Sequence, residues 1–518
     1  MIRSSLCLCF VAVCQLLPAA ATVGVVDFKV TTGKPESQAC FNRAVAMLHN
    51  FWFEEAREQF ETCAAAEPGL QMAWWGVAMT YNHSLWNRVW PDEARAALKK
   101  ITAVESLSAR ERGYVEAIQA LYGTGSKSER EIAYSKKMAA VYKAYPDDLE
   151  AAAFYSLSLI ATKQRMRAGA IALDVYGKQS EHPGAAHYII HAFDDPEHAI
   201  LALPAAKRYA QIAPEAHHAR HMPSHIFLQL GMWNETVKSN EQSWAASVEW
   251  QTRKKMPMAL RDYHSQYWLA YGYMQQGRYA DAWKVWETKK QNIIEAAGDG
   301  EVYRYWADLG AALVIETGSW DLADSVFKDP VTIRRSGSDA HGHTPSSAAR
   351  ALEGLTRGFA AARSGKPIQP WLDLIDQAKA MAVQQKAPVV VARLEAQGLM
   401  VQAAAARQEK KYDEAIGLLK KAAELEEKDA FISGPPDIIK PSHELAGEVM
   451  LEAGKPADAL KMFQKALERQ PNRSLSVQGA LRAAEKVGNK ELVDSYGAAL
   501  KANWAHADGG MASSAGGR

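Results

Sequence analysis

The chain has 518 residues, 48% of them hydrophobic, with 60 Lys and Arg against 59 Asp and Glu. That length exceeds one ordinary globular domain. A net charge of +1 gives no electrostatic case for nucleic acid as a partner. Basic clusters such as Lys99-Lys100 and Arg253-Lys254-Lys255 read as solvated helix surfaces.

The N-terminus combines Met1-Ile-Arg3, an apolar run from Leu6 to Leu17, and Pro18-Ala19-Ala20-Ala21. A positive start, a short apolar core and a small-residue site predict a secretory signal peptide over residues 1–21. The run falls short of the roughly 20 apolar residues a spanning helix needs. No later stretch is read as a transmembrane segment, so the mature chain is expected to be periplasmic or secreted. Cys7, Cys9 and Cys14 leave with the peptide, and Cys40 and Cys63 remain as a pair suited to an oxidising compartment.

Residues 22–36 read as an N-terminal extension, and a repeat begins at Ser37. Counted from there, Ala44, Ala56, Phe60, Cys63 and Pro68 take positions 8, 20, 24, 27 and 32. Small residues at 8 and 20 let two antiparallel helices approach, the aromatic at 24 fills the groove, and the proline ends the second helix. The register recurs from Tyr263 with Leu269, Tyr273, Gly277, Ala282 and Trp286, and from Lys440 with Gly447, Gly454, Ala459, Phe463 and Pro471. Period-two alternation is lacking, so no sheet is expected. This pattern resembles the tetratricopeptide repeat, and the resemblance implies an all-α fold, an α-α superhelix or solenoid. The reading in chain order is a first solenoid block over 37–335, a polar Gly/Ser/His loop over 336–347, further repeats over 348–506, and a disordered tail over 507–518. Cys40 and Cys63 occupy positions 4 and 27 of one hairpin, opposite each other across its turn, which predicts a disulfide.

Eight of the 15 histidines fall between His182 and His225. His187/His191 and His221/His225 are i, i+4 pairs that share a helix face and suit one metal ion. They also stand at positions 5 and 9 of repeats 34 residues apart. His218 and His264 are at position 2, and His83, like His49, is at position 13. Positions 2, 5, 9 and 13 span about an 80° arc of one helix face. The tetratricopeptide resemblance implies that this face lines a concave groove, where first helices run roughly 10 Å apart. Pro223 falls inside the nominal helix, which must kink or start near Met222.

Five stretches resemble a narrower group of exported bacterial tetratricopeptide-repeat proteins: Tyr81-Asn-His83-Ser-Leu-Trp86, His182-Pro-Gly-Ala-Ala-His187-Tyr-Ile-Ile-His191, His221-Met-Pro-Ser-His225-Ile-Phe227, Tyr263-His264-Ser and the run from Gly434 to Glu444. Where that group has an acidic residue soon after the histidine of the fourth stretch, this chain has Tyr267, which argues against a carboxylate ligand there.

Two functions follow. The first is an interaction scaffold whose histidine-lined concave groove binds a protein, peptide or small ligand, with Tyr188 and His264 among the groove residues. The alternative is a metalloprotein, a hydrolase or oxidase, with His187, His191, His221 and His225 as core ligands and His83, His218 and His264 as auxiliary ligands or acid–base groups. An imidazole set without cysteine suits Zn, Cu, Fe or Ni alike. Asp194, Asp195 and Glu215 are nearby carboxylates, and Trp86 and Trp90 are placed to cover one end of the groove. There is no GxSxG elbow, phosphate loop, HExxH or CxxC, and Ser224 beside His225 is a weak nucleophile. The sequence leaves open whether the chain is an enzyme.

Overall fold

The computed structural model describes residues 22–86, 88–295, 300–328, 347–429 and 433–509. The signal peptide, residues 336–346 of the polar loop and residues 510–518 of the tail lie outside the described residues. Those described hold 24 α-helices, together with one pairing of two-residue strands, Asn82–His83 with Arg88–Val89. The strands close the aromatic insertion after the third helix.

Successive helices form antiparallel hairpins, and a shared turn explains why. Gly231, Gly277 and Gly454 all stand at position 15 of their repeats with φ of 66°, 68° and 71°. In each, the following N–H reaches back five residues, as Met232 does to Phe227, Arg278 to Tyr273 and Lys455 to Met450. This is the left-handed helix stop that glycine adopts without strain. Phe51 holds the same position in the first repeat with φ of 54°, and the Trp52 N–H bonds to Met47 in the same way.

Hairpins stack through the aromatic at position 24. A Cβ added at Gly76 would lie 2.3 Å from the Phe60 ring, and Cβ atoms at Gly447 and Gly479 would lie 2.8 and 2.2 Å from Phe463. Gly76 and Gly479 both stand at position 6 of the next repeat, so one device operates at both ends of the chain. Cys40 and Cys63 are joined in a disulfide across the first hairpin.

Two large hydrophobic cores result. One runs from Val23 to Phe227 and takes in Trp250 from further along, and the other runs from Leu228 to Ala484. The core therefore divides near residue 228 and not at the expected 336–347 loop; Trp320 packs edge-on against Phe359 across that loop. The N-terminal extension over 22–36 packs onto the repeats, where Val23, Val26 and Phe28 are buried and the Val25 N–H bonds to Glu181. The start of the tail is also ordered: Asp508 receives the Ala280 N–H at 2.8 Å and donates its own N–H to Gly277. The polar composition there serves as a helix cap rather than as a disordered end.

The superhelix curls tightly. Lys254 pairs with Glu55 at 2.9 Å, bringing the Trp233–Lys254 helix to the first hairpin. The C-terminal repeats fold onto the middle of the chain, where Trp233 Nε1 donates to the Asn472 carbonyl and the Ser474 N–H to Gln275. Contrary to the expectation of no long apolar stretch, the Pro388–Gln408 helix has the length and apolarity of a membrane span; 44% of its apolar window is buried inside the fold.

Candidate metal centre

The site lies where the two cores meet. His182 caps the Pro183–Ala192 helix by accepting the Ala185 N–H at 3.0 Å, and Pro183 occupies the first turn, where its missing N–H costs nothing. One turn further in, His187 and His191 share a face. The next first helix is broken in two, His217–His221 and Pro223–Gln229, because Pro223 cannot donate to the preceding turn. The break lets His218 face the Pro183–Ala192 helix while His221 and His225 face the Tyr263–Gln275 helix, which carries His264.

Six histidines thus form two triads, His187/His191/His218 and His221/His225/His264, with the ligand nitrogens of each within 4.8 Å of one another. In the first, the His187 Nε2 lies 3.1 Å from His191 Nε2 and 3.2 Å from His218 Nε2. In the second, His221 and His225 bring their Nε2 atoms to 3.1 Å. Two imidazole nitrogens on one tetrahedral ion at about 2.0–2.1 Å stand about 3.3 Å apart. The triads face each other, with ring centroids 5.9 Å apart for His191 and His225 and 6.0 Å for His218 and His221.

The outer nitrogens decide which way the rings can serve. The Nδ1–H of His187 donates to the His49 carbonyl at 2.7 Å, that of His221 to Asn240 Oδ1 at 2.7 Å, and that of His225 to Asp194 Oδ2 at 2.7 Å. The Asn240 amide is oriented by its own donation to the Thr236 carbonyl. Ser433 and Gln229 also donate to Asp194. With Nδ1 protonated, a neutral ring carries its lone pair on Nε2, the inward atom. This is the outer-partner arrangement that fixes tautomer and aim in histidine metal sites.

Burial disfavours the charged form of four of the rings. It pushes His187 down to about 3, and it holds His191, His218 and His221 well below the ordinary histidine range, with the neighbouring imidazoles adding to the effect. Burial alone would raise Asp194, but the His225 ring and the three hydrogen bonds on the carboxylate bring it below its usual value.

A third group, His49, Glu150 and His182, is also close-set. Its hydrogen bonds close among themselves. His182 accepts the Ala185 N–H on Nδ1 and donates Nε2–H to Glu150 at 3.1 Å. His49 donates Nε2–H to Glu150 at 2.7 Å and accepts the Tyr188 hydroxyl on Nδ1 at 2.8 Å. No nitrogen lone pair is left for an ion. The group instead fixes the His49 carbonyl that orients His187, and Gly184 makes room for it, since a Cβ there would sit 2.6 Å from the His49 ring.

Aromatic residues wall the centre. Phe51 lies 4.3 Å from the His187 ring centroid, and Trp268 lies 4.2 Å from that of His225. Gly434 passes so close to Trp268 that a Cβ would be 2.5 Å from its ring, which brings the 433–441 segment against the site. Trp86 is 42% exposed and stands edge-on to His218 at 5.3 Å, forming the solvent side.

The sequence reading took His187, His191, His221 and His225 as core ligands with His218 and His264 as auxiliaries, and the structure places all six in two groups. The helix break at Met222 sends His218 to the first pair and leaves His264 to complete the second. His83 stands apart: it stacks on Phe53 at 3.7 Å and its Nε2–H donates to the Thr80 carbonyl. The expected open groove is filled, because His187, His221 and Tyr188 are buried and the Tyr188 hydroxyl is spent on His49. Asp195 pairs with Arg165 and His198, Glu215 is exposed, and Ser224 is buried 3.4 Å from His221 Nδ1. Sequence reasoning missed Asn240, Trp268, Ser433 and the His49–Glu150–His182 support. Only the last left a trace, His49 at the shared position 13.

The same aromatic at position 24 seats on the same glycine position at both ends of the chain, and every hairpin stop compared above falls at position 15. The fold is a tetratricopeptide-type superhelix. No protein-family model matches the chain, and no curated protein does. Among solved structures, the chain is similar to the human IFIT1 dimer with PPP-AAAA at 15% identity, covering 92% of this chain and 96% of that one with a TM-score of 0.40. It is similar to the Rap protein complexed with competence and sporulation factor at 14% identity, 77% and 99% coverage and a TM-score of 0.36. For yeast Tom70 the values are 10%, 90% and 91%, and 0.33. Likeness at this level says nothing of what a tetratricopeptide-type chain does.

Proposed function

We propose that this chain is a transition-metal protein, in which a tetratricopeptide-type superhelix holds two three-histidine centres. The observation that carries the reading is the His221–His225 pair, whose inward Nε2 atoms stand 3.1 Å apart while their Nδ1 atoms are engaged by Asn240 and Asp194. A cation shared between two nitrogens so placed, with His264 as the third donor, accounts for their approach. Three imidazoles per ion leave a coordination position open for water or substrate, the mark of a catalytic rather than a closed structural site. The class of chemistry is metal-dependent hydrolysis or oxidation of a small molecule approaching past Trp86.

Export to an oxidising compartment fits the same reading. The Cys40–Cys63 disulfide and the signal-like N-terminus support it. Scaffolding through a histidine-lined groove finds less support, since the rings that would greet a peptide are buried.

The test is elemental analysis of the protein purified without a histidine tag. Close to two transition-metal ions per chain are expected. His187→Ala should lose one, His221→Ala the other, and the double variant both. A His443→Ala and His506→Ala double variant, outside the triads, should keep both. Protein that stays metal-free after incubation with Zn²⁺ and Cu²⁺ contradicts the proposal.

A further inference from the structure

We infer, resting on the reading that the triads hold metal ions, that the two triads work as one centre whose ions share a single small bridging ligand, of the size of azide or smaller. The triads are separate as donor sets but continuous in space. Within the first, the His187 ring centroid lies 4.8 Å from that of His191 and 5.0 Å from that of His218. Within the second, His221 lies 4.9 Å from His225 and 4.7 Å from His264, while His225 and His264 stand 6.2 Å apart. Across the two, His191 to His225 is 5.9 Å and His218 to His221 is 6.0 Å. Two rings of one triad are therefore further apart than rings that face each other between triads, and the six close into one shell.

The helix break builds this spacing. His218 and His221 leave the same short helix, His217–His221, for opposite triads. The element that divides the donor sets thus also ties them together. His191 and His225 come from the Pro183–Ala192 and Pro223–Gln229 helices, which touch each other.

The spacing sets what the centre can hold. Ions bound about 2 Å from imidazole nitrogens so disposed come near the separation of about 4 Å at which two metals clamp one ligand. Three imidazoles leave each ion one open position. Two such positions at this distance are met by the two ends of one ligand.

The wall sets its size. His187 and His221 are fully buried and His218 and His225 nearly so. Phe51 and Trp268 close over the rings, and Trp86 stands edge-on to His218 at the solvent side. A peptide, sugar or nucleotide would have to displace these aromatic side chains. A linear triatomic anion would not.

The experiment loads the untagged mature chain with Zn²⁺ and, separately, with Cu²⁺, and titrates each form with sodium azide by calorimetry. Two ions per chain are expected with at least one of the metals, and one azide per chain in that form. His187→Ala should keep one ion and bind azide about tenfold or more weakly, because one end of the ligand is then unheld. His264→Ala, which trims the second triad at a partly exposed position, should weaken azide in the same way. His443→Ala should match the parent. Two azides per chain of equal affinity, azide held as tightly by both triad variants as by the parent, or no azide bound by the two-ion form overturns the shared centre. So does a single ion per chain in the parent. Each of these leaves the metal-protein reading standing, whereas no uptake of either metal defeats both.

Discussion

His221 and His225 turn their Nε2 atoms toward each other at 3.1 Å, and each has committed its outer Nδ1–H, one to Asn240 and the other to Asp194. A proton is the smallest cation that could join two such nitrogens. It would serve one pair and leave unexplained why His264 completes the triad, and why His187, with its Nδ1–H given to a main-chain carbonyl, stands in the same relation to His191 and His218. A metal ion in each triad accounts for all six rings.

Asp194→Asn keeps the size of the His225 partner and removes its charge. Outer-partner losses of this kind weaken metal binding about 10- to 100-fold. Competition titration against a chelator should show that drop for one ion of two, since Asp194 bonds to His225 alone among the six rings. Equal weakening at both ions would mean that the triads do not bind separately.

Phe51 holds a left-handed φ of 54° where the matching turns use glycine. The strained backbone costs about 1–2 kcal/mol for a residue bearing a Cβ, and it places the ring on His187. Losing the buried ring should cost about 3–5 kcal/mol in Phe51→Ala. Phe51→Gly should be the more stable of the two by about 1 kcal/mol, because glycine alone relieves the turn. Denaturant unfolding of both variants checks the order, and the reverse order would show that the turn is unstrained.

The Cys40–Cys63 bridge closes a loop with a sequence separation of 23. In the loop-entropy model it stabilises the terminal hairpin by about 3 kcal/mol. Cys40→Ser with Cys63→Ser should lower the unfolding midpoint without changing the metal-to-protein ratio. Loss of metal in the double variant would tie the hairpin to the site more closely than the contacts of Phe51 indicate.

Arg473 is fully buried and ties the C-terminal repeats to the middle of the chain through Glu444 at 2.8 Å, Glu316 and the Tyr271 hydroxyl. Arg473→Met strands two carboxylates and should cost about 3–5 kcal/mol at neutral pH. Burial acts to raise Glu444, but the Arg473 and Lys440 charges outweigh it and hold the group at about 2 against an ordinary 4.5. A carboxyl depressed in the fold contributes stability that is complete above about pH 4.5 and lost as pH falls toward 2. Burial raises Glu316, whose contribution runs the other way. The deficit of the Met variant should therefore shrink as pH falls, with Glu316 taking up its proton above about pH 4.5 and Glu444 below it. A deficit that stays constant down to pH 3 would place the loss in packing.

The helical-repeat fold was legible because its determinants are local and periodic. Phe60 and Phe463 at position 24, and the glycines at position 15, state the hairpin and its stop within one repeat. The site was legible in composition but not in grouping. His187, His191, His221 and His225 stand out by spacing, yet the side each faces depends on the break that Pro223 makes at Met222, which a helical wheel treats as one continuous face. Partners supplied from afar left no local pattern: Ser433 reaches Asp194 from 239 residues away. Asn240 is an ordinary polar residue on a second helix until His221 is placed against it. The order at the start of the tail escaped notice for the same reason, since Asp508 acts against a helix start 228 residues earlier.

Crystals of the untagged protein grown with copper or zinc, measured on either side of that metal's absorption edge, test the central claim most directly. Two anomalous peaks are expected, one about 2 Å from the Nε2 atoms of His187, His191 and His218, the other at the same distance from the ligand nitrogens of His221, His225 and His264. Crystals without anomalous signal at either triad, or with metal only at surface histidines such as His506, would contradict it.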